Sequence, residues 1–340
     1  MKKIYLDTEK AIGHLICHDI TKIEPGSFKG PLFKRGHLIC AEDLPVLLDL
    51  GKKRIYALEL EAGELHEDEA GLRLAHAVSG SGLEMEGPAE SRVNLKAATR
   101  GLLTIDVAVL NKLNEMEDVI VSTLHSGVHV EKGERVAGVK VVPLVVPAVL
   151  LEQVEQLCLN RQVIAVKSYR RIKPGLIITG REVAEGRIKD GFLPVLNEKA
   201  QFYEMDPPVV RYIGDDEQAI AGSIVEQINQ GLNLIIVTGG MSVDPDDLTP
   251  AAIKLSGAEL VKYGAPILPG AMFLLAYRGE IPVIGLPACA MYYRTTILDL
   301  LLPRILAGER VTAREISILG HGGLCRACIK CVFPHCSFGK

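Results

Sequence analysis

Residues Leu234–Pro250 read LIIVTGGMSVDPDDLTP. Four apolar residues lead through Thr238 into Gly239 and Gly240, the pattern of a strand buried on both faces that ends in a tight turn. Glycines placed after a strand let bare backbone N–H groups point at an anion such as phosphate. Three carboxylates, Asp244, Asp246 and Asp247, nevertheless follow within a few positions. A phosphate-friendly loop beside three acids predicts a cation between the two.

Outward from this stretch, from about Val163, strands and helices alternate. GLIITG (Gly175–Gly180) and PVVRYIG (Pro208–Gly214) read as strands entering glycine turns. In DDEQAIAGSIVEQINQG, Ile220, Ile224 and Ile228 recur every four residues beside Ala221 and Val225, one apolar helical face that closes at Gly231. TPAAIKLSGA opens a helix, with Thr249 expected as its cap and Pro250 in its first position. A long final helix is expected over about Met291 to Ala307. Repeated units of this kind predict an α/β fold with a doubly wound, mostly parallel sheet, whose ligands bind at the carboxyl ends of the strands.

The preceding 160 residues carry shorter, irregular strand signals and predict a β-rich region. LLEQVEQLCLNR is the expected helical connector. The expected division is therefore 1–160 as a β-rich accessory region, 161–311 as the α/β domain and 312–340 as a cysteine-bearing tail. His14, Cys17 and His18 in GHLICHD have ligand chemistry, but strand alternation sends Cys17 and His18 to opposite faces, so they are read as structural. The basic loop Lys29–His37 is read as solvated.

Composition narrows the function classes. With 340 residues the chain is long enough for two domains and a tail, and 48% hydrophobic content supports real cores. A net charge of −4 gives no general attraction to nucleic acid. The start, MKKIYLDTEK, has no apolar signal-like stretch, and the most apolar run, VVPLVVPAVLL, is broken by two prolines. A span needs roughly 20 apolar residues, so no membrane partner is expected and the expected location is cytoplasmic.

Eight cysteines suggest disulfides only until their positions are read. Cys17, Cys40, Cys158 and Cys289 are scattered in apolar surroundings and read as small hydrophobes. Cys325, Cys328, Cys331 and Cys336 follow the spacing C-x2-C-x2-C-x4-C. Thiolates this dense suit a soft metal. The first three match the opening of ferredoxin motifs, which favours a [4Fe–4S] cluster, with Zn2+ as the alternative. Gly320, Gly322 and Gly323 read as a hinge before the cluster.

Three acidic loops fall at the ligand-binding edge of the expected sheet: TGRE, GDDE and TGGMSVDPDD. A fourth glycine turn, GLPAC, ends a later strand. Converging acidic loops would suit Mg2+, which takes one or two carboxylates and completes its shell with substrate phosphate oxygens.

With TGREV, EGRIKD, DDEQAI, VTGGMSVDPDDLTP and GLP in this order and spacing, residues 163–311 resemble the pterin-binding domain shared by molybdopterin molybdotransferases and molybdopterin adenylyltransferases. The resemblance implies a role in molybdenum cofactor biosynthesis. Molybdate would enter the dithiolene of adenylylated molybdopterin and AMP would leave. It implies catalytic roles for Asp247, Asp216 and Glu182, with Mg2+ on Asp247. Gly239, Gly240 and Ser242 would cradle the phosphate, and Gly186 to Asp190 would line the pterin side. Thr238, Gly285 and Pro287 complete the implied cofactor-binding set. Molybdopterin or its adenylate, molybdate and a molybdoenzyme client are the implied partners, and a homo-oligomer the implied assembly.

The chain also departs from that pattern. The family's Pro-Gly-Lys-Pro turn is replaced by LPGAM (Leu268–Met272), without lysine. Its Gly-Asn-Pro gives way to Ala288, Cys289 and Ala290, an expected asparagine to Phe192, and a Met-Asp-Gly-Tyr-Ala segment is not found. Molybdate insertion is the leading expectation. A non-catalytic cofactor carrier or sensor is the alternative, and adenylyl transfer to the pterin a third.

Overall fold

The computed structural model describes residues 2–24, 28–89, 91–241 and 247–340. The chain forms two compact units, Met1–Ala98 with Ile105–Leu124 and Lys132–Ala165, and Thr99–Thr104 with His125–Glu131 and Val166–Lys340.

The first unit is rich in strands. A four-stranded antiparallel sheet runs in the order Val119–Thr123, Arg135–Val141, Arg92–Ala97, Leu83–Ala89. The helix Glu67–Val78 contacts this sheet and the helix Ala148–Cys158, to which Arg73 is tied by a two-pronged bond to Glu155 at 2.8 and 2.9 Å. GHLICHD is not one strand. Only Leu15 and Ile16 pair, and Cys17 and His18 lie beyond them in a bend, so strand alternation does not govern those two.

Two short early segments join the second unit through side-chain chemistry that the sequence pattern does not reveal. Arg100 lies over the Phe202 ring and reaches Glu204 at 2.8 Å, and His129 Nδ1 is 2.9 Å from the Tyr169 hydroxyl.

The second unit is built on six strands: β1 (Pro174–Thr179), β2 (Val209–Ile213), β3 (Leu234–Thr238), β4 (Glu259–Tyr263), β5 (Leu274–Arg278) and β6 (Ile281–Leu286). Their order is β2-β1-β3-β6-β5-β4. The first four in that order are parallel, while β5 and β4 continue the sheet antiparallel. The β5–β6 join needs only the turn at Gly279, whereas each parallel join needs a crossover.

Helices cover both faces, as strands without charge require. These are α1 (Phe192–Phe202), α2 (Glu217–Asn229), α3 (Thr249–Leu255) and α4 (Ile297–Leu306). Alternation along β3 shows the division. Leu234 and Ile236 enter the core formed with Phe192 and Leu196 of α1 and Leu301 and Leu302 of α4. Ile235 and Val237 enter the other core, with Ile220 and Ile224 of α2 and Ile253 of α3. No described helix is long and apolar enough to cross a membrane.

Two helix starts differ from the sequence expectation. The stretch from Met291 does not run as one helix: a 3-10 turn, Ala288–Met291, is followed by a break and then by α4. A capping box restarts the chain, with the Thr296 amide donating to Asp299 at 2.8 Å and the Leu298 amide donating to the Thr296 hydroxyl at 3.2 Å. Thr249 lies inside α3 and does not cap it. Its hydroxyl instead donates to the Gly239 carbonyl at 2.7 Å, tying the helix to the glycine loop.

The tail is packed onto this unit. A last short helix, α5 (Ala313–Ile318), starts with a capping box between Thr312 and Glu315. The chain then pairs with the LPGAM turn. Leu268 donates its amide to Gly323 at 2.8 Å, and Cys325 donates its amide to Leu268 at 2.8 Å. Phe338 is only 4% exposed and belongs to the core above α4. The tail glycines serve close approach, not a hinge. A Cβ on Gly323 would lie 2.5 Å from the Pro266 carbonyl oxygen, and one on Gly339 would collide with Leu300.

Candidate functional site

A cavity of about 650 Å3 opens at the carboxyl ends of β3 and β6. Three stretches of the sheet domain line it: Gly239–Met241 with Asp247, Leu268–Met272, and Pro287–Cys289 with Tyr293. The tail supplies the remainder through Leu324, Cys325 and Ala327.

The glycine loop that lines it leaves no room for a Cβ at Gly239 and little at Gly240. Gly239 and Gly240 have φ of +85° and +53°, in the left-handed region that favours glycine. A Cβ on Gly239 would lie 2.6 Å from both the carbonyl and hydroxyl oxygens of Thr179. Thr179 in turn donates its hydroxyl to the Thr238 carbonyl at 3.0 Å. The Thr179 and Thr249 hydroxyls thus pin the loop from two sides, leaving its backbone as the surface a ligand meets. Thr238 itself is fully buried, and its hydroxyl has no hydrogen-bond partner among the described residues. Gly285 lies within β6, where a Cβ would come 2.7 Å from the Met241 methyl, so its role is to seat Met241 beside the loop.

Among the described acids expected to converge, Asp247 alone lines the cavity. Burial, and then the Asp247 charge, push the nearby Tyr263 phenol upward. Asp216 accepts the Ala219 amide at 2.9 Å and caps α2. Asp215 accepts the Arg181 amide at 3.2 Å, joining the loops after β2 and β1. Asp190 accepts the amides of Phe192 and Leu193 at 2.8 and 3.1 Å, holding the start of α1. Glu182 is exposed in the helical turn Arg181–Ala184, and Gly186 is exposed in the turn that follows. Ser242, Asp244 and Asp246 lie outside the described residues.

Among the described residues no three or more His, Cys, Asp or Glu side chains are gathered to hold a metal ion. Among the described residues, the acids after β1 and β2 are exposed or bound to backbone amides. The four tail thiols are not gathered either. Cys325 lines the cavity, Cys328 is exposed, Cys331 Sγ is 3.3 Å from the Thr295 hydroxyl, and Cys336 packs against the core. Their path is set by the pairing at Leu268 and the seating of Phe338, which spread the cysteines over different surroundings.

The sequence reading missed the LPGAM turn, Cys289 and the tail as cavity walls. GLPAC was visible as a glycine turn, but Cys289 looked like another apolar cysteine. Burial pushes its thiol up.

Residues 175–307 match the family model described as "Probable molybdopterin binding domain". Residues 5–59 match one described as a domain of unknown function, DUF8806. The molybdopterin molybdenumtransferase of Synechococcus elongatus is 28% identical over 120 residues, covering 33% of this chain and 30% of that protein. The chain spans less than half the length of the curated relatives it matches. Among solved structures, the molybdopterin biosynthesis enzyme MoaB of Thermus thermophilus is similar, with a TM-score of 0.34, 17% identity and coverage of 41% of this chain and 98% of that one. The protein CinA, with unknown function, from Thermoplasma acidophilum gives a TM-score of 0.35 at 16% identity, covering 40% and 98%. Residues 175–307 are the part of the chain similar to the probable molybdopterin-binding class.

Proposed function

We propose that this protein binds molybdopterin, or its adenylate, in the cavity at the ends of β3 and β6 and acts in molybdenum cofactor biosynthesis. The observation that carries this reading is the Gly239–Gly240 loop. Its backbone lines the cavity through two residues without side chains, both at positive φ and the first with no space for a Cβ, within the segment that matches the molybdopterin-binding class. The phosphate of the pterin would meet the loop amides. The apolar wall of Leu268, Pro269 and Pro287 would cover the flat ring system.

Retention and delivery of the cofactor, as a carrier serving a molybdoenzyme client, fits the geometry best. The tail forms part of the wall, Asp215 and Asp216 after β2 accept backbone amides, and the LPGAM turn offers no lysine to phosphate or molybdate. Molybdate insertion with loss of AMP is the second reading, favoured by Asp247 in the cavity wall.

Purified protein incubated with adenylylated molybdopterin and molybdate, with and without Mg2+, separates the two. The carrier reading expects pterin to be retained without AMP release. Turnover that releases AMP and disappears in Asp247→Asn would establish insertion and overturn the carrier.

A further inference from the structure

Two cysteines line the cavity from separate parts of the chain. Cys289 stands in the 3-10 turn that follows β6, and Cys325 stands on the tail beside its backbone pairing with Leu268. Both are partly exposed and neither is in a disulfide. One such cysteine would read as a small apolar residue in a wall. Two on different elements, both lining one cavity of about 650 Å3, offer two soft donors to it. Glycine backbone and Asp247 lie in the same wall set, so hard and soft donors share the cavity.

We propose that Cys289 and Cys325 are protein ligands to the metal of a dithiolene bound in this cavity, so that the metal-loaded ligand is held more tightly than the metal-free one. The chemical reason is coordination number. Thiolates are soft donors, so two of them would add to the two sulfurs by which a dithiolene holds its metal and would be missing from a metal-free ligand. The glycine loop would then hold the phosphate end and the thiols the metal end. Each thiol loses its proton to solvent on coordination, and no electron is transferred. The inference rests on the molybdopterin reading, but its site can be tested without that ligand.

The full-length protein is titrated with Cd2+ alone, following ultraviolet thiolate-to-cadmium absorption. The expected result is a saturable signal that is lost in Cys289→Ser and in Cys325→Ser and kept in Cys328→Ser. Cys289 is the decisive position, because Cys325 is shared with any tail cluster. A signal that survives Cys289→Ser and vanishes in Cys328→Ser would place the metal on the tail and overturn the proposal. A second measurement needs no variant: Cd2+ should protect Cys289 and Cys325 of the wild-type chain from iodoacetamide, as read by peptide mass. Equal labelling with and without Cd2+ would also overturn it. With ligand, Cys289→Ser should abolish the preference for molybdenum-loaded over metal-free molybdopterin. A Cys289-dependent cadmium signal without any molybdopterin binding would instead refute the functional proposal and leave the thiol site standing.

Discussion

On one side of the cavity stand Gly239 and Gly240, at the end of a strand buried on both faces; on another stand Leu324, Cys325 and Ala327, carried by a segment with no helix or strand of its own after α5. The glycine wall is shaped by neighbours in the fold's regular part: Thr179 from the adjacent strand and Thr249 from the following helix. The tail wall is shaped by anchors far from it in the chain: Leu268, Pro266, Leu300 and the core around Phe338. A wall of the first kind follows from local strand and turn chemistry. A wall of the second kind exists only once the rest of the unit has folded.

The largest expected effect therefore lies in the tail. Phe338→Ala removes a nearly fully buried ring and should cost about 3–5 kcal/mol of stability, read by urea unfolding. Truncation after Thr312 should do at least as much harm, since it also strips Leu324 and Cys325 from the cavity. If the truncated protein unfolds at the wild-type urea midpoint, the tail is not an anchored wall and the comparison fails.

Gly239→Ala attacks the other wall. The left-handed backbone costs about 1–3 kcal/mol for a non-glycine residue, and the new Cβ would press on Thr179. Both stability and molybdopterin affinity should fall. Unchanged values for both would mean that the loop has room to spare.

Asp216→Ala sharpens the contrast between cavity residues and loop-holding acids. Loss of the cap on α2 should cost about 1 kcal/mol in stability while molybdopterin affinity stays at the wild-type value. A large loss of affinity without a stability change would return Asp216 to the site.

The smallest effect is a pH dependence at the tail's base. Burial opposes ionisation of Glu315, but hydrogen bonds from Thr312 and the Arg304 guanidinium outweigh it and push its carboxyl down to about 2. A folded value below the ordinary 4.5 means that the stabilisation is complete above about 4.5 and is lost as pH falls through about 2. Glu315→Gln should remove that part of the acid-side slope, lowering stability at neutral pH, where the stabilisation is complete, and matching the wild-type chain only below about pH 2. An identical slope in the variant would show that Glu315 does not carry it.

Much of the second unit was legible because its signals are periodic and local. The uncharged run of β3, the four-residue spacing of Ile220, Ile224 and Ile228, and Gly231 after α2 each specify an element by themselves. What the acids do was less legible, because an aspartate after a strand serves equally as a ligand or as a cap. Asp190, Asp215 and Asp216 hold backbone amides, and only the positions of those amides distinguish the roles. The tail was hardest to read. Its cysteine spacing is conspicuous, whereas the contacts that fix its path, Gly323 on Pro266 and Phe338 in the core, connect residues far apart in sequence.

The central claim is that the glycine loop meets the ligand's phosphate. Calorimetric titration of molybdopterin into the wild-type chain and Gly240→Val tests it most directly, with circular dichroism establishing that the variant is folded. A valine at residue 240, where the Cβ would already lie 3.1 Å from the Thr249 hydroxyl on a backbone at φ +53°, would press the loop against its neighbours. The account predicts saturable binding to the wild-type protein and binding at least about tenfold weaker in the variant, equivalent to one lost interaction of roughly 1.4 kcal/mol. Equal affinity in a folded variant, or no binding by the wild-type chain, would contradict it.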